Sequence, residues 1–191
     1  MRWGRVEATA GFFLLVAWMN YWDSQCLVPA ALLACALHEL GHYGVIRLLG
    51  GDVKLIRLTA IGAEMAVDRP LDYWQEGLAA LAGPAVNLLL ALLFCGWGWG
   101  QTFAGLNLAL ALFNLLPMGR LDGGRALELA VSWAAGPAAG DQAARWIGAA
   151  TALVLAAAVS GVVWCSGGSL WLLPAAVGLA GAAAGEILGK P

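Results

Sequence analysis

Hydrophobic positions in this chain fall in long blocks separated by short polar breaks. The apolar runs are Ala8–Trp22, Leu27–Leu49, Trp74–Phe94, Phe103–Leu116, Trp146–Trp164 and Leu170–Leu188. A bilayer core about 30 Å thick is crossed by about 20 helical residues. The pattern therefore predicts an all-α polytopic membrane protein with about six transmembrane helices. The first and fourth runs are short enough for re-entrant or protein-buried segments. Between the second and third runs, Asp52 to Asp68 breaks the helical pattern into two extended stretches, Val53–Thr59 and Ala63–Val67, joined at Ile61-Gly62. This reads as a β-hairpin. Its apolar side chains, among them Leu55, Ile56, Leu58 and Met65, predict that it dips into the membrane surface, where non-helical backbone must be buried in protein or line a cavity.

Composition supports the membrane reading and limits the rest. Of the 191 residues, 61% are hydrophobic and 12% charged, with a mean hydropathy of +0.78, so one membrane domain over 1–191 is expected and no sizeable soluble module fits. A net charge of −2 gives no basis for nucleic-acid binding. With the amino terminus inside, Arg2, Arg5, Arg47, Lys54, Arg57, Arg69, Arg120, Arg125, Arg145 and Lys190 all fall on cytoplasmic segments, leaving Trp22, Asp23, Trp97, Trp99 and Trp164 for the outer interface. The expected setting is a bacterial cell membrane, with both termini and the active-site opening cytoplasmic. Met1 to Trp22 resembles a signal peptide in charge and length, but no small-x-small cleavage site follows cleanly, so an uncleaved anchor is expected. The cysteines Cys26, Cys35, Cys95 and Cys165 lack Cys-x-x-Cys spacing and read as small apolar packers.

The chemistry sits in the second run. His38 and His42 are the chain's two histidines, one helical turn apart, with Glu39 between them. At i and i+4 both imidazoles leave one helix face, so one divalent ion can meet both while the carboxylate reaches the water on that ion. Ionisable groups at membrane depth cost roughly 3 kcal/mol each on insertion scales, so three on one helix call for a compensating partner such as a metal. A catalytic zinc site usually has three protein ligands and a fourth position for water. The third donor must be a carboxylate, and Glu64, Glu76, Asp122 and Glu128 are the candidates. Asp122 stands out because Pro117, Gly123 and Gly124 would open the helix around it and aim a short side chain inward. A metal-binding transporter is the rival reading from another class, a non-catalytic scaffold a second rival, and a membrane-anchored metallopeptidase with a downstream Glu ligand a third.

Three motifs in order, His38-Glu39-Leu40-Gly41-His42, Gly83-Pro84-Ala85-Val86-Asn87, and Asn114-Leu115-Leu116-Pro117 running into Leu121-Asp122-Gly123-Gly124, resemble the site-2 protease family of intramembrane zinc metalloproteases, peptidase family M50. The similarity covers about 27–128 and is nearest the small members of the stage IV sporulation type, without PDZ or CBS domains. The resemblance implies a Zn2+ ion held by His38, His42 and Asp122, Glu39 as general base, and Asn114 as a substrate-contacting residue able to steady an oxyanion. Its implied partners are a membrane protein substrate such as a membrane-tethered transcription regulator, a membrane inhibitor protein that restrains proteolysis, and the lipid bilayer. Gly83 and Pro84 are expected to permit close helix packing. One departure is Arg120, where members of the family often carry proline two residues before the metal-binding aspartate.

Overall fold

The computed structural model describes residues 2–3, 5–25, 27–59, 62–68, 71–119, 121–165, 181 and 184–185. These form two compact units, 1–113 and 114–191. The expected sixth run, Leu170–Leu188, and Arg120 lie outside the described residues apart from three positions of that run.

The first unit begins with strands β1 (Arg2–Trp3) and β2 (Val6–Ala8), followed by helices α1 (Ala10–Trp22) and α2 (Leu27–Leu48). Then come the hairpin strands β3 (Val53–Thr59) and β4 (Gly62–Val67), helix α3 (Tyr73–Phe94), a short 3₁₀ turn at Gly98–Gly100, and helix α4, which runs from Gln101 to Asn114 at the unit boundary. The predicted hairpin is present, with Ile56 opposite Met65 and Arg57 opposite Glu64. It belongs to a larger, four-stranded sheet in the order β1-β2-β3-β4. Strand β2 pairs in parallel with β3, placing Val6, Glu7 and Ala8 beside Ile56, Arg57 and Leu58. The start of the first apolar run is thus spent on a strand, and the helix that follows has only 13 residues. At 1.5 Å per residue it is about 20 Å long, short of the bilayer core. Thr9 fixes its start by accepting a hydrogen bond from the Phe12 N–H at 3.3 Å.

Asp23 organises the next turn. Its carboxylate accepts from the backbone N–H groups of Gln25 (3.2 Å), Leu27 (2.9 Å) and Val28 (2.7 Å), occupying donors that the start of α2 leaves without an intrahelical acceptor. These bonds, Val28 first and Leu27 next, hold the Asp23 pKa below its ordinary value, with Gln25 adding and desolvation opposing. At the other end of α2, Ile46, Val53 and Ala79 form a small buried core with Tyr43, Ile56, Met65 and Leu71 packed on it, seating the sheet against α2 and α3. Helices α2 and α3 pack along one another closely enough that a Cβ on Gly41 would stand 2.9 Å from the Ala82 carbonyl oxygen.

The second unit carries α5 (Asp122–Ala135) and α6 (Pro137–Cys165), which pack together. Helix α5 was not anticipated as an element. The break forecast around Pro117 is real, but it occupies 115–121, and Gly123 and Gly124 lie inside the first turn of α5. The connecting turn folds back so tightly that a Cβ on Gly123 would stand 2.2 Å from the Leu115 carbonyl oxygen. Pro137 at the first position of α6 suits its fixed φ and missing N–H, and starts the fifth run nine residues earlier than hydropathy alone suggested.

Among the described residues, α3 and α6 are long and apolar enough to cross a membrane by length and composition. Helix α2 has the length, at 22 residues, but His38, Glu39, His42 and Arg47 lower its apolar character. The architecture is therefore mostly helical with a small sheet. Cys35, Cys95 and Cys165 are free thiols with exposed side chains.

Candidate metal centre

Helix α2 presents His38 and His42 from consecutive turns, with the ring centroids 4.7 Å apart and the planes nearly perpendicular at 83°. His38 is buried and His42 half-buried, and their Nε2 atoms face each other at 3.0 Å. Glu39, the residue between them, is half-buried.

The far side of each ring shows where its proton lies. His42 Nδ1 is 2.7 Å from the Ala79 carbonyl oxygen, which can only accept, so His42 carries its proton on Nδ1. His38 Nδ1 is 2.5 Å from Asn87 Oδ1. Asn87 Nδ2 in turn donates to the Ala34 carbonyl at 3.3 Å, which fixes which end of the amide is which, so His38 Nδ1 donates too. Both Nε2 atoms are then lone-pair donors aimed at one point. The two Nε2 atoms face each other at 3.0 Å, an arrangement in which one cation can meet both. An ion about 2.0–2.1 Å from each nitrogen bridges separations of up to about 4 Å, so the spacing fits zinc.

Helix α3 supplies the space. A Cβ on Gly83 would stand 2.3 Å from His42 Nε2 and 2.8 Å from His38 Cε1, so only glycine lets the α3 backbone pass this close to both rings. Pro84, buried in the interior of α3, follows directly. The Gly83–Asn87 motif thus does two things at the histidine pair: it clears room at Gly83 and orients His38 through Asn87. Only helix packing was foreseen for Gly83, and Asn87 ranked below Asn114. Asn107 was missed altogether. It is fully buried on α4 and accepts from Asn87 Nδ2 at 2.7 Å. The sequence feature at this position is an amide between two leucines, Leu106 and Leu108, within an apolar run.

In the second unit, Asp122 is the first residue of α5 and is half-buried, with Leu121 as the extended N-cap residue and the Arg125 N–H closing the first turn onto the Leu121 carbonyl at 3.0 Å. Asn114 closes α4 and is half-buried. Of the other carboxylates considered, Glu64 is exposed on β4, Glu128 is exposed on α5, and Glu76 is half-buried in the first turn of α3. Cys35, one turn before His38, is exposed.

Known proteins resemble this chain in sequence and in fold. Residues 98–157 match the sequence model of Peptidase family M50, a stretch that contains Asn114 and Asp122. A putative zinc metalloprotease from Synechocystis sp. is 40% identical over 116 residues, covering 53% of this chain and 31% of that protein. Stage IV sporulation protein FB of Bacillus subtilis is 30% identical over 115 residues, covering 53% of this chain and 38% of its own length. The solved site-2 protease from Methanocaldococcus jannaschii has the same fold, with a TM-score of 0.64 over 95% of this chain and 90% of that one at 23% identity. The chain is thus similar to members of peptidase family M50, by sequence over 98–157 and in fold over most of its length. It spans about a third of the length of these two sequence relatives.

Proposed function

We propose that this protein is an intramembrane zinc metalloprotease that hydrolyses a peptide bond in or near a transmembrane segment of a membrane-associated protein. The observation that carries the reading is the histidine pair itself: two Nδ1 protons tied to Asn87 and Ala79, and two Nε2 lone pairs 3.0 Å apart in a cleft that only glycine permits. His38 and His42 are two of the ligands in this reading. Asp122 is the third, on the strength of the Leu121-Asp122-Gly123-Gly124 motif inside the stretch that matches family M50.

When bound, zinc lowers the pKa of a coordinated water toward neutrality and polarises the carbonyl under attack. Glu39 takes the proton from the attacking water and passes it to the leaving amine. The Asn114 amide donates toward the oxygen that gains charge in the transition state. With both histidines committed to the ion, the chain has no Ser-His or Cys-His pair for a covalent route, so water attacks directly.

Membrane topology is part of the proposal. It has six crossings with Arg5, Arg47, Lys54 and Arg57 on the cytoplasmic side, which is then the sheet end of α2, where Arg5 and Arg47 share Asp52 and Arg57 pairs with Glu7. His42 lies six residues from the end of α2 at Leu48, about 9 Å along the axis, so the reaction site is near the cytoplasmic boundary. The substrate in this reading is a membrane-tethered regulator released by cleavage, and a membrane inhibitor protein restrains the reaction.

Co-expression with tethered candidate regulators tests the reading. The wild-type chain releases a cytoplasmic fragment; Glu39→Gln keeps its zinc and releases none. A Glu39→Gln chain that still cleaves contradicts the mechanism, and one that moves metal ions across the membrane favours transport instead.

A further inference from the structure

Asn107 takes no part in the chemistry proposed above, yet it is fully buried and its amide is bonded at both ends. Asn107 Nδ2 donates to the Phe103 carbonyl at 2.8 Å. That carbonyl can only accept, so Asn107 must turn its Oδ1 toward Asn87. Asn87 Nδ2 then donates to Asn107 Oδ1 at 2.7 Å and more weakly to the Ala34 carbonyl at 3.3 Å. The outcome is a directional chain of hydrogen bonds: His38 Nδ1–H to Asn87, Asn87 to Asn107, Asn107 to Phe103. The Phe103 carbonyl, an acceptor that cannot reverse, sets the Asn107 amide, and the shorter Asn107 bond adds to the Ala34 carbonyl in orienting Asn87.

Without Asn107, Asn87 keeps only its longer bond to Ala34 to hold its orientation. A flipped Asn87 would present its NH₂ to His38 Nδ1, which must then be an acceptor, and the neutral ring would move its proton to Nε2, the atom aimed at the ion. We propose that Asn107 is a positioning residue of the metal centre: acting through Asn87, it keeps the His38 proton on Nδ1 and so keeps Nε2 open to zinc. The statement about zinc rests on the proposed function; the statement about the proton does not.

The test uses the full chain in detergent, labelled with ¹⁵N in the imidazole rings and stripped of metal. The chain has two histidines, so two ring systems appear in the NMR spectrum. In the wild type both Nδ1 atoms carry a proton. In Asn107→Leu and Asn107→Ala, His38 Nδ1 loses its proton in a substantial fraction of molecules, while His42, held by the Ala79 carbonyl, stays as it was and serves as the internal control. Zinc affinity measured by chelator competition falls about tenfold, the low end of the range for outer partners of metal ligands. Asn107→Ser, whose hydroxyl can donate to Phe103 and accept from Asn87, restores both readouts toward wild type.

Unchanged His38 protonation in the leucine or alanine variant overturns the proposal. So does equal loss at His38 and His42, since Asn107 would then be supporting packing in general. A wild-type chain that takes up no zinc would defeat the proposed function and leave the proton result standing.

Discussion

Two polar clusters in the first unit look alike on paper and differ in physical consequence. One is buried: His38, Asn87 and Asn107, linked by amide and imidazole hydrogen bonds between α2, α3 and α4. The other is exposed at the sheet: Arg5 and Arg47 share Asp52, Lys54 pairs with Asp68, and Arg57 approaches Glu7 at 3.4 Å. In the buried cluster each donor and acceptor is desolvated, so removing one group strands its neighbour. In the exposed cluster water and salt replace whatever is lost. The lesson is that formal charge misleads about where this chain is sensitive. Neutral amides inside the helices set the histidine geometry, whereas the full charges at the sheet pair where water reaches them.

The largest effect that would break this contrast is expected at Gly83. In Gly83→Ala the new methyl would stand 2.3 Å from His42 Nε2, so the rings must move. Zinc occupancy and cleavage should both drop to background, with about 1–3 kcal/mol lost in stability from overpacking. Metal analysis and thermal unfolding in detergent check both parts. Next comes Asn87→Leu, which removes the acceptor of His38 Nδ1 and takes the Asn87 donor from both the Ala34 carbonyl and Asn107 Oδ1. A loss of roughly 1–3 kcal/mol is expected, with zinc affinity down about 10–100-fold.

Asp23 sharpens the comparison from the exposed side, because its partners are backbone N–H groups rather than charges. Its folded pKa is depressed, so its stabilisation is complete above the ordinary value of 3.8 and is lost as the pH falls through the lower folded value. Thermal unfolding followed from about pH 6 down to about pH 2 should show this acid loss in the wild type. Asp23→Asn should be less stable at neutral pH and lack that component; an identical acid profile would contradict the assignment. The smallest effect belongs to the ion pairs. Arg47→Gln should cost no more than about 1 kcal/mol and should leave zinc binding unchanged. A larger loss, or a loss of metal, would mean that the exposed cluster supports the site after all.

How much was legible in advance follows the range of the interactions. The His38–His42 face is a matter of helical periodicity within five residues, and the hairpin is a local alternation of apolar positions around a turn, so both could be read directly from neighbouring residues. Strand β2 could not, because Val6-Glu7-Ala8 becomes a strand only through parallel pairing with residues about 50 positions away. Helix α5 was hidden by its own first turn: Gly123 and Gly124 read as breakers, and only the close return of the Leu115 carbonyl reveals why glycine is needed inside a helix there. Asn107 was invisible for a different reason. An amide in an apolar run looks the same whether it bonds its own helix or reaches a neighbour, and here it does both. Asn114, favoured over Asn87 by resemblance, keeps its proposed place in the chemistry, while Asn87 is the asparagine bonded to a histidine.

The most direct test is the zinc content of purified chain, measured per molecule for wild type, Glu39→Gln and His42→Ala, with cleavage of one tethered substrate followed in the same preparations. One zinc in wild type and in Glu39→Gln, none in His42→Ala, and cleavage by the wild type alone is the predicted result. Zinc retained at full occupancy in His42→Ala, or cleavage by Glu39→Gln, would contradict the account.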